Sequence, residues 1–236
     1  MIYSNQNSIP FGRGCFLYFS KGVDFTSLLP FLYISSMKKI LLLPLIFIFS
    51  SLNGQVRFDT ETYVDDSKNK RISGTYEGIV GYVVLEADGT AKELYDKTIS
   101  WINESYNSPE DVIKGQIDGE YIRFTGATGP LKFYKALGMM LGFTDSRYVI
   151  ETRFKDGRVR FEPVKLEVYQ QPNPAAYIKG GWIDAAFSGR IKDRKGKDDE
   201  AGIKTFNSIS NYFNNLANFY QGYLVDGNSK SSNDDW

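Results

Sequence analysis

The chain has 236 residues, with 28 lysines and arginines balanced by 28 aspartates and glutamates, no histidine and one cysteine, Cys15. The lack of histidine excludes Ser-His-Asp and Cys-His catalysis and histidine-based zinc sites, leaving carboxylate, lysine, tyrosine or hydroxyl chemistry and hard cations such as calcium. Balanced charge also removes the basic excess that nucleic-acid binding requires.

Residues 37–54 read as a secretory signal peptide. Lys38 and Lys39 form its positive start, residues 40–49 its apolar core, and Ser50-Ser51-Leu52-Asn53-Gly54 a small, polar exit with cleavage after Gly54. The apolar run 40–52 has 13 residues. A membrane-spanning helix needs roughly 20, so no permanent span is expected once the signal is cleaved. A signal is read at the N-terminus, so Met37 is the expected initiator and residues 1–36 a mis-assigned upstream start. Removing residues 1–54 takes away Arg13, Lys21, Lys38, Lys39 and Asp24, leaving 24 basic against 27 acidic residues and no cysteine. The expected address is the periplasm, the cell surface or the medium.

Residues 55–74 are polar and charged and are expected to form a flexible arm. Residues 79–85, rich in valine and isoleucine, predict one buried strand. Thr90-Ala91-Lys92-Glu93 is a capping box. The helix behind it carries Tyr95, Ile99, Ile102 and Tyr106 on one face, and Asn107-Ser108-Pro109 ends it. Asp118-Gly119 and Asp156-Gly157 each predict a hairpin turn. Around the second, Tyr148, Ile150, Thr152 and Phe154 alternate with Val149, Glu151 and Arg153, the period of a strand with one buried face.

Between the hairpins, Phe133, Leu137, Met140 and Leu141 in residues 126–142 suggest a short helix packed at the sheet edge. Residues 171–200 read as a long loop ending in a charge run. Ile203, Phe206, Ile209, Phe213, Leu216, Tyr220 and Tyr223 then mark an amphipathic helix, with Asn207, Asn211, Asn214, Asn215 and Asn218 largely between them. Residues 227–236 read as a disordered tail. The order strand, helix, four strands, helix predicts one α+β domain over residues 75–226, an antiparallel sheet with two helices on one face.

Lys92-Glu93-Leu94-Tyr95, Trp101-Ile102-Asn103-Glu104-Ser105-Tyr106-Asn107-Ser108-Pro109 and Val112-Ile113, with the later Asp156-Gly157-Arg158-Val159-Arg160-Phe161 hairpin, resemble an uncharacterised bacterial domain of unknown function. That domain has a TATA-binding-protein-like (TBP-like) fold and occurs mainly in secreted proteins of Bacteroidota. The resemblance covers about residues 79–168 and implies a fold and an envelope location. It brings no catalytic residues, and residues 126–142 and the C-terminal extension depart from it. DNA binding does not follow, because the processed chain is acidic.

The candidate ligand-binding residues are the basic cluster Arg153, Lys155, Arg158 and Arg160 and the aromatics Tyr148 and Phe161, which with Phe154 and Tyr169 line a pocket under the last helix or, in the competing reading, fill its core. Cross-strand pairing with Glu151 and Glu162 is the competing structural role for the basic cluster. Glu77, Glu86, Glu151, Glu162 and Glu167 are the carboxylates a glycosidase-like pair could draw on. No catalytic residue, cofactor or metal is assigned. The expectation is a non-enzymatic envelope binding protein whose partner is another envelope protein or a small apolar or anionic ligand. The alternatives are a secreted hydrolase using paired carboxylates and a structural subunit of an envelope complex.

Overall fold

The chain divides into two units, Met1–Gly54 and Gln55–Trp236. The computed structural model describes residues 55–227 except 71, 174–176 and 178. The upstream segment 1–36, the signal region 37–54 and the tail beyond 227 lie outside the described residues, and the fold below is that of the second unit.

The domain is α+β with antiparallel strand pairing throughout. Residues expected to form a mobile arm instead build β1 (Asp59–Asp65), paired over its whole length with β2 (Gly74–Val80). The single strand expected at 79–85 is two: β2 ends at Val80 and β3 (Val83–Glu86) begins after Gly81. Gly81, at φ 66°, supplies a left-handed turn that only glycine adopts without strain. This turn lets two consecutive strands enter different sheets.

The capping box forms as expected. Thr90 Oγ1 accepts from the Glu93 N–H, the Glu93 carboxylate accepts from the Thr90 N–H, and α1 runs from Ala91 to Ser105. The Thr90 N–H, foremost, and the Thr90 hydroxyl, both donating to that carboxylate, hold the Glu93 carboxyl below its ordinary pKa. Pro109 opens a one-turn helix, α2 (Pro109–Val112). β4 (Ile113–Ile117) and β5 (Tyr121–Thr128) flank Asp118-Gly119, and β8 (Ser146–Lys155) and β9 (Arg158–Gln170) flank Asp156-Gly157.

Residues 126–142 depart from expectation. They finish β5 and then fold as a hairpin of β6 (Phe133–Ala136) and β7 (Met139–Gly142), not as a helix. The expected loop at 171–200 also holds two strands, β10 (Gly181–Ala185) and β11 (Ser188–Asp193). Both are half-exposed and their side chains carry little hydrophobic alternation, so periodicity does not reveal them. The last helix, α3, extends from Glu200 to Asp226, capped by the Asp199 carboxylate on the Gly202 N–H.

The larger sheet has the order β10-β9-β8-β5-β4, with β3 also paired to β9, and a second sheet has the order β1-β2-β11. Trp101 of α1 packs edge-on to Phe124 of β5 at 5.7 Å and against Tyr220 of α3 at 4.5 Å, while Phe213 of α3 meets Tyr148 of β8 at 5.6 Å. Both helices therefore cover the same face of the larger sheet, with Leu85, Leu94, Ile122, Ile150 and Ile209 fully buried between the layers. The opposite face carries the alternate residues of the same strands.

Candidate functional site

The outward face of the larger sheet is built by the strand period of two. Phe154, Val159 and Phe161 point to the core, so Arg153, Lys155, Arg158 and Arg160 point away from it. The same parity corrects the expectation for Tyr148 and Phe161. Tyr148 is 3 % exposed and Phe161 is fully buried. Phe161 is packed by Phe58 at 6.3 Å and Tyr220 at 5.8 Å. The Tyr148 hydroxyl lies 2.9 Å from that of Tyr212 and 3.3 Å from that of Tyr106. Burial holds Tyr148 and Tyr106 protonated well above the usual tyrosine range. The interior beneath α3 at these residues is filled core, not a pocket.

Most charges on the outward face are matched. Arg147 chelates Glu167 through two nitrogens at 2.6 and 3.1 Å, and Lys165 reaches Glu167 at 3.2 Å and Asp184 at 3.3 Å. The Arg147 bonds, foremost, hold Glu167 below its ordinary pKa. Arg123 lies 3.9 Å from Glu151, and Arg160 pairs with Glu162 at 2.7 Å. Three of the arginines also lie over aromatic rings: Arg147 over Trp182, Arg153 over Tyr121 and Arg160 over Tyr82.

The exception is the end of the β8–β9 hairpin. In the strand register Arg153 stands opposite Arg160 and Lys155 opposite Arg158, which makes a two-by-two block of cations. Like charges directly opposite across a strand pair destabilise it. Only Arg160 has a carboxylate partner in this block; Arg153, Lys155 and Arg158 have none among the described residues. Asp156 in the turn is turned elsewhere, accepting the Ala91 N–H at 2.8 Å at the start of α1. Glu86 stands opposite Arg158 across the β3–β9 pair without forming an ion pair.

Beside this block is an open groove of about 400 Å³, lined by Ile117, Glu120, Tyr121, Arg153, Phe154 and Lys155. Its walls come from both hairpins because β5 pairs with β8, with Tyr121 opposite Arg153 and the Phe154 N–H donating to the Glu120 carbonyl. Ile117, Glu120 and Tyr121 were not among the expected site residues. Each hairpin turn was legible, but nothing in local sequence states that the two hairpins pair side by side.

The carboxylates do not gather in a cleft. Glu151 and Glu162 face one another in register on the open sheet surface, each near an arginine, while Glu77 lies on β2 in the other sheet. Among the described residues no cluster of three or more Asp, Glu, His or Cys is placed to hold a metal ion, and no helix is long and apolar enough to cross a membrane.

No protein-family model matches the sequence, and comparison with curated proteins gives no match. Among solved structures, the chain is similar to the crystal structure of a DUF4468 family protein from Bacteroides ovatus, with 13 % identity and a TM-score of 0.43 over 68 % of this chain and 89 % of that one.

Proposed function

We propose that this chain is an exported, non-catalytic binding module of the bacterial cell envelope, of the Bacteroidota kind with a TBP-like fold that its helix motif resembles. Its ligand is a small molecule with one anionic group and an apolar body, held at the groove between the two hairpins. The observation that carries this reading is the cation block at the β8–β9 turn. Three of its four charges lack a carboxylate, while Arg123, Arg147 and Lys165 on the same face are matched. Facing like charges weaken a strand pair, and a bound anion would relieve that repulsion through charge-assisted hydrogen bonds. Ile117 and Tyr121 supply the apolar wall beside the charge. Export rests on the Lys38-Lys39 pair and the apolar run behind it.

The test is an NMR titration with decanoate and, separately, with neutral decanol. Decanoate is expected to shift the amide signals of Ile117, Tyr121 and Lys155. Decanol, and decanoate added to the Arg153→Gln/Lys155→Gln variant, should bind at least about tenfold more weakly, the effect of losing one charged contact. Equal response to both ligands, shifts scattered away from the groove, or turnover of an ester or glycan by the purified protein would each overturn the proposal.

A further inference from the structure

The β6–β7 hairpin has one face that the rest of the domain covers only in part, Tyr134 meeting Phe143 edge-on at 5.5 Å. Its inner face meets α3: the Phe133 N–H donates to Thr205 Oγ1 at 2.9 Å, Lys204 lies over the Phe133 ring, and Lys135 pairs with Glu200 at 2.5 Å. Strand alternation and the pairing of Tyr134 with Leu141 and Ala136 with Met139 put these four residues on the other face. That face carries no charge. Tyr134 is 44 % exposed, Met139 57 %, and Leu137 at the tip 97 %.

The tip residue is not explained by folding. Leu137-Gly138 is a two-residue turn with both φ angles positive, 51° and 79°. Such turns take Asn-Gly or Asp-Gly, and a leucine in the left-handed region is strained. Here the strain gains no packing, since the side chain stands in solvent. Residues 121–144 contain no aspartate or glutamate, and the two lysines of the hairpin segment are engaged within the domain, Lys132 with the Ser188 carbonyl and Lys135 with Glu200.

We propose that the tip of the β6–β7 hairpin inserts into the surface of a lipid bilayer. Leu137 and Met139 enter the acyl boundary, and Tyr134 sits at headgroup level. The size of the patch selects lipid over a protein partner. Four side chains and a tip offer far less than the roughly 800 Å² per side of a stable protein interface, whereas hydrocarbon needs no complementary surface. The tip lies at the opposite end of β8 from the cation block, so the inference does not depend on the ligand reading.

The test uses the unit from residue 55 to 236, which lacks the apolar run at 40–52, and sedimentation with vesicles of phosphatidylethanolamine and phosphatidylglycerol. The wild type is expected to bind. Leu137→Asn should weaken partitioning at least about tenfold, the effect of withdrawing one leucine from hydrocarbon. Asparagine accepts the left-handed turn, so this variant should keep or raise its urea midpoint, which separates lost anchoring from lost folding. A wild type that stays in the supernatant, or equal binding by the two proteins, overturns the proposal. Self-association without vesicle binding, abolished by Leu137→Asn, overturns it in favour of a protein-docking tip.

Discussion

The hydroxyl of Tyr220 on α3 donates a hydrogen bond to Thr98 Oγ1 on α1, joining the two helices inside the core. The direction is set by Thr98, which already spends its own proton on the Leu94 carbonyl at 2.7 Å. Both side chains are fully buried, and burial keeps Tyr220 protonated well above the ordinary range.

This direction makes the two truncations unequal. Tyr220→Phe removes one neutral hydrogen bond but leaves Thr98 bonded to Leu94, and should cost about 0.5–1.5 kcal/mol. Thr98→Val strands the Tyr220 hydroxyl without a partner in the core and should cost about 1–3 kcal/mol, more than its counterpart. Urea denaturation of the two variants checks the order, and equal losses would refute the assigned direction.

Two glycines let α3 approach β11. An ideal Cβ on Gly202 would lie 1.8 Å from the Arg190 carbonyl oxygen, and one on Gly189 2.0 Å from the Gly202 carbonyl oxygen. Gly202→Ala must therefore push the helix off the strand, with an expected loss of about 3 kcal/mol or more. Gly222, in the same helix, has nothing within 4 Å of its Cβ position. Gly222→Ala should stabilise by up to about 1 kcal/mol through helix propensity. Thermal melts of the pair should move in opposite directions.

The segment before β1 is held by asparagines of α3. Asn218 accepts the Val56 N–H at 2.8 Å and donates to the Val56 carbonyl at 2.7 Å, and Asn214 accepts the Phe58 N–H at 2.9 Å. The amide thus mimics a neighbouring strand for Val56. Asn218→Ala should raise amide hydrogen exchange at Val56 with little change in the core of the larger sheet, as expected of a locally opened segment. Uniform acceleration across the domain would show instead that this contact is part of the global fold.

Lys132 predicts a rise of stability with pH. Its Nζ donates to the Ser188 carbonyl at 2.8 Å, and burial lowers its pKa to about 8 against an ordinary 10.5. Below pH 8 both folded and unfolded chains carry the proton, and the burial penalty is fully present. Above it the folded chain releases the proton first, so stability rises. From about pH 10 the unfolded tyrosines ionise while the buried Tyr106, Tyr148 and Tyr220 resist, and stability falls again. Urea midpoints from pH 7 to 10 should climb in the wild type and climb less in Lys132→Met.

The elements with strong local signals were legible. The Thr90–Glu93 capping box, the Asp118-Gly119 and Asp156-Gly157 turns, and the apolar stripe of α3 each concern residues within a turn or two of one another. The misses have a common origin. β1, β10 and β11 are short and exposed on at least one face, so their pairing partners stabilise them more than their own pattern does. Leu137 illustrates the same limit: Phe133, Leu137, Met140 and Leu141 have helical spacing, yet docking of Phe133 on Thr205 and Lys135 on Glu200 selects a hairpin. Asn214 and Asn218 look like a solvent face and instead grip Val56 and Phe58.

For the candidate site, sequence alone determined that Arg153, Lys155, Arg158 and Arg160 share a hairpin and, through alternation with Phe154, Val159 and Phe161, a face. It could not determine that Arg160 has Glu162 while the other three lack a carboxylate, or that Tyr121 and Ile117 from another hairpin stand beside them. Alternation is a property of one strand, written in consecutive residues. Neighbouring hairpins and charge matching depend on which strands pair and in what register, and those are decided by burial of a common core and by packing under α1 and α3.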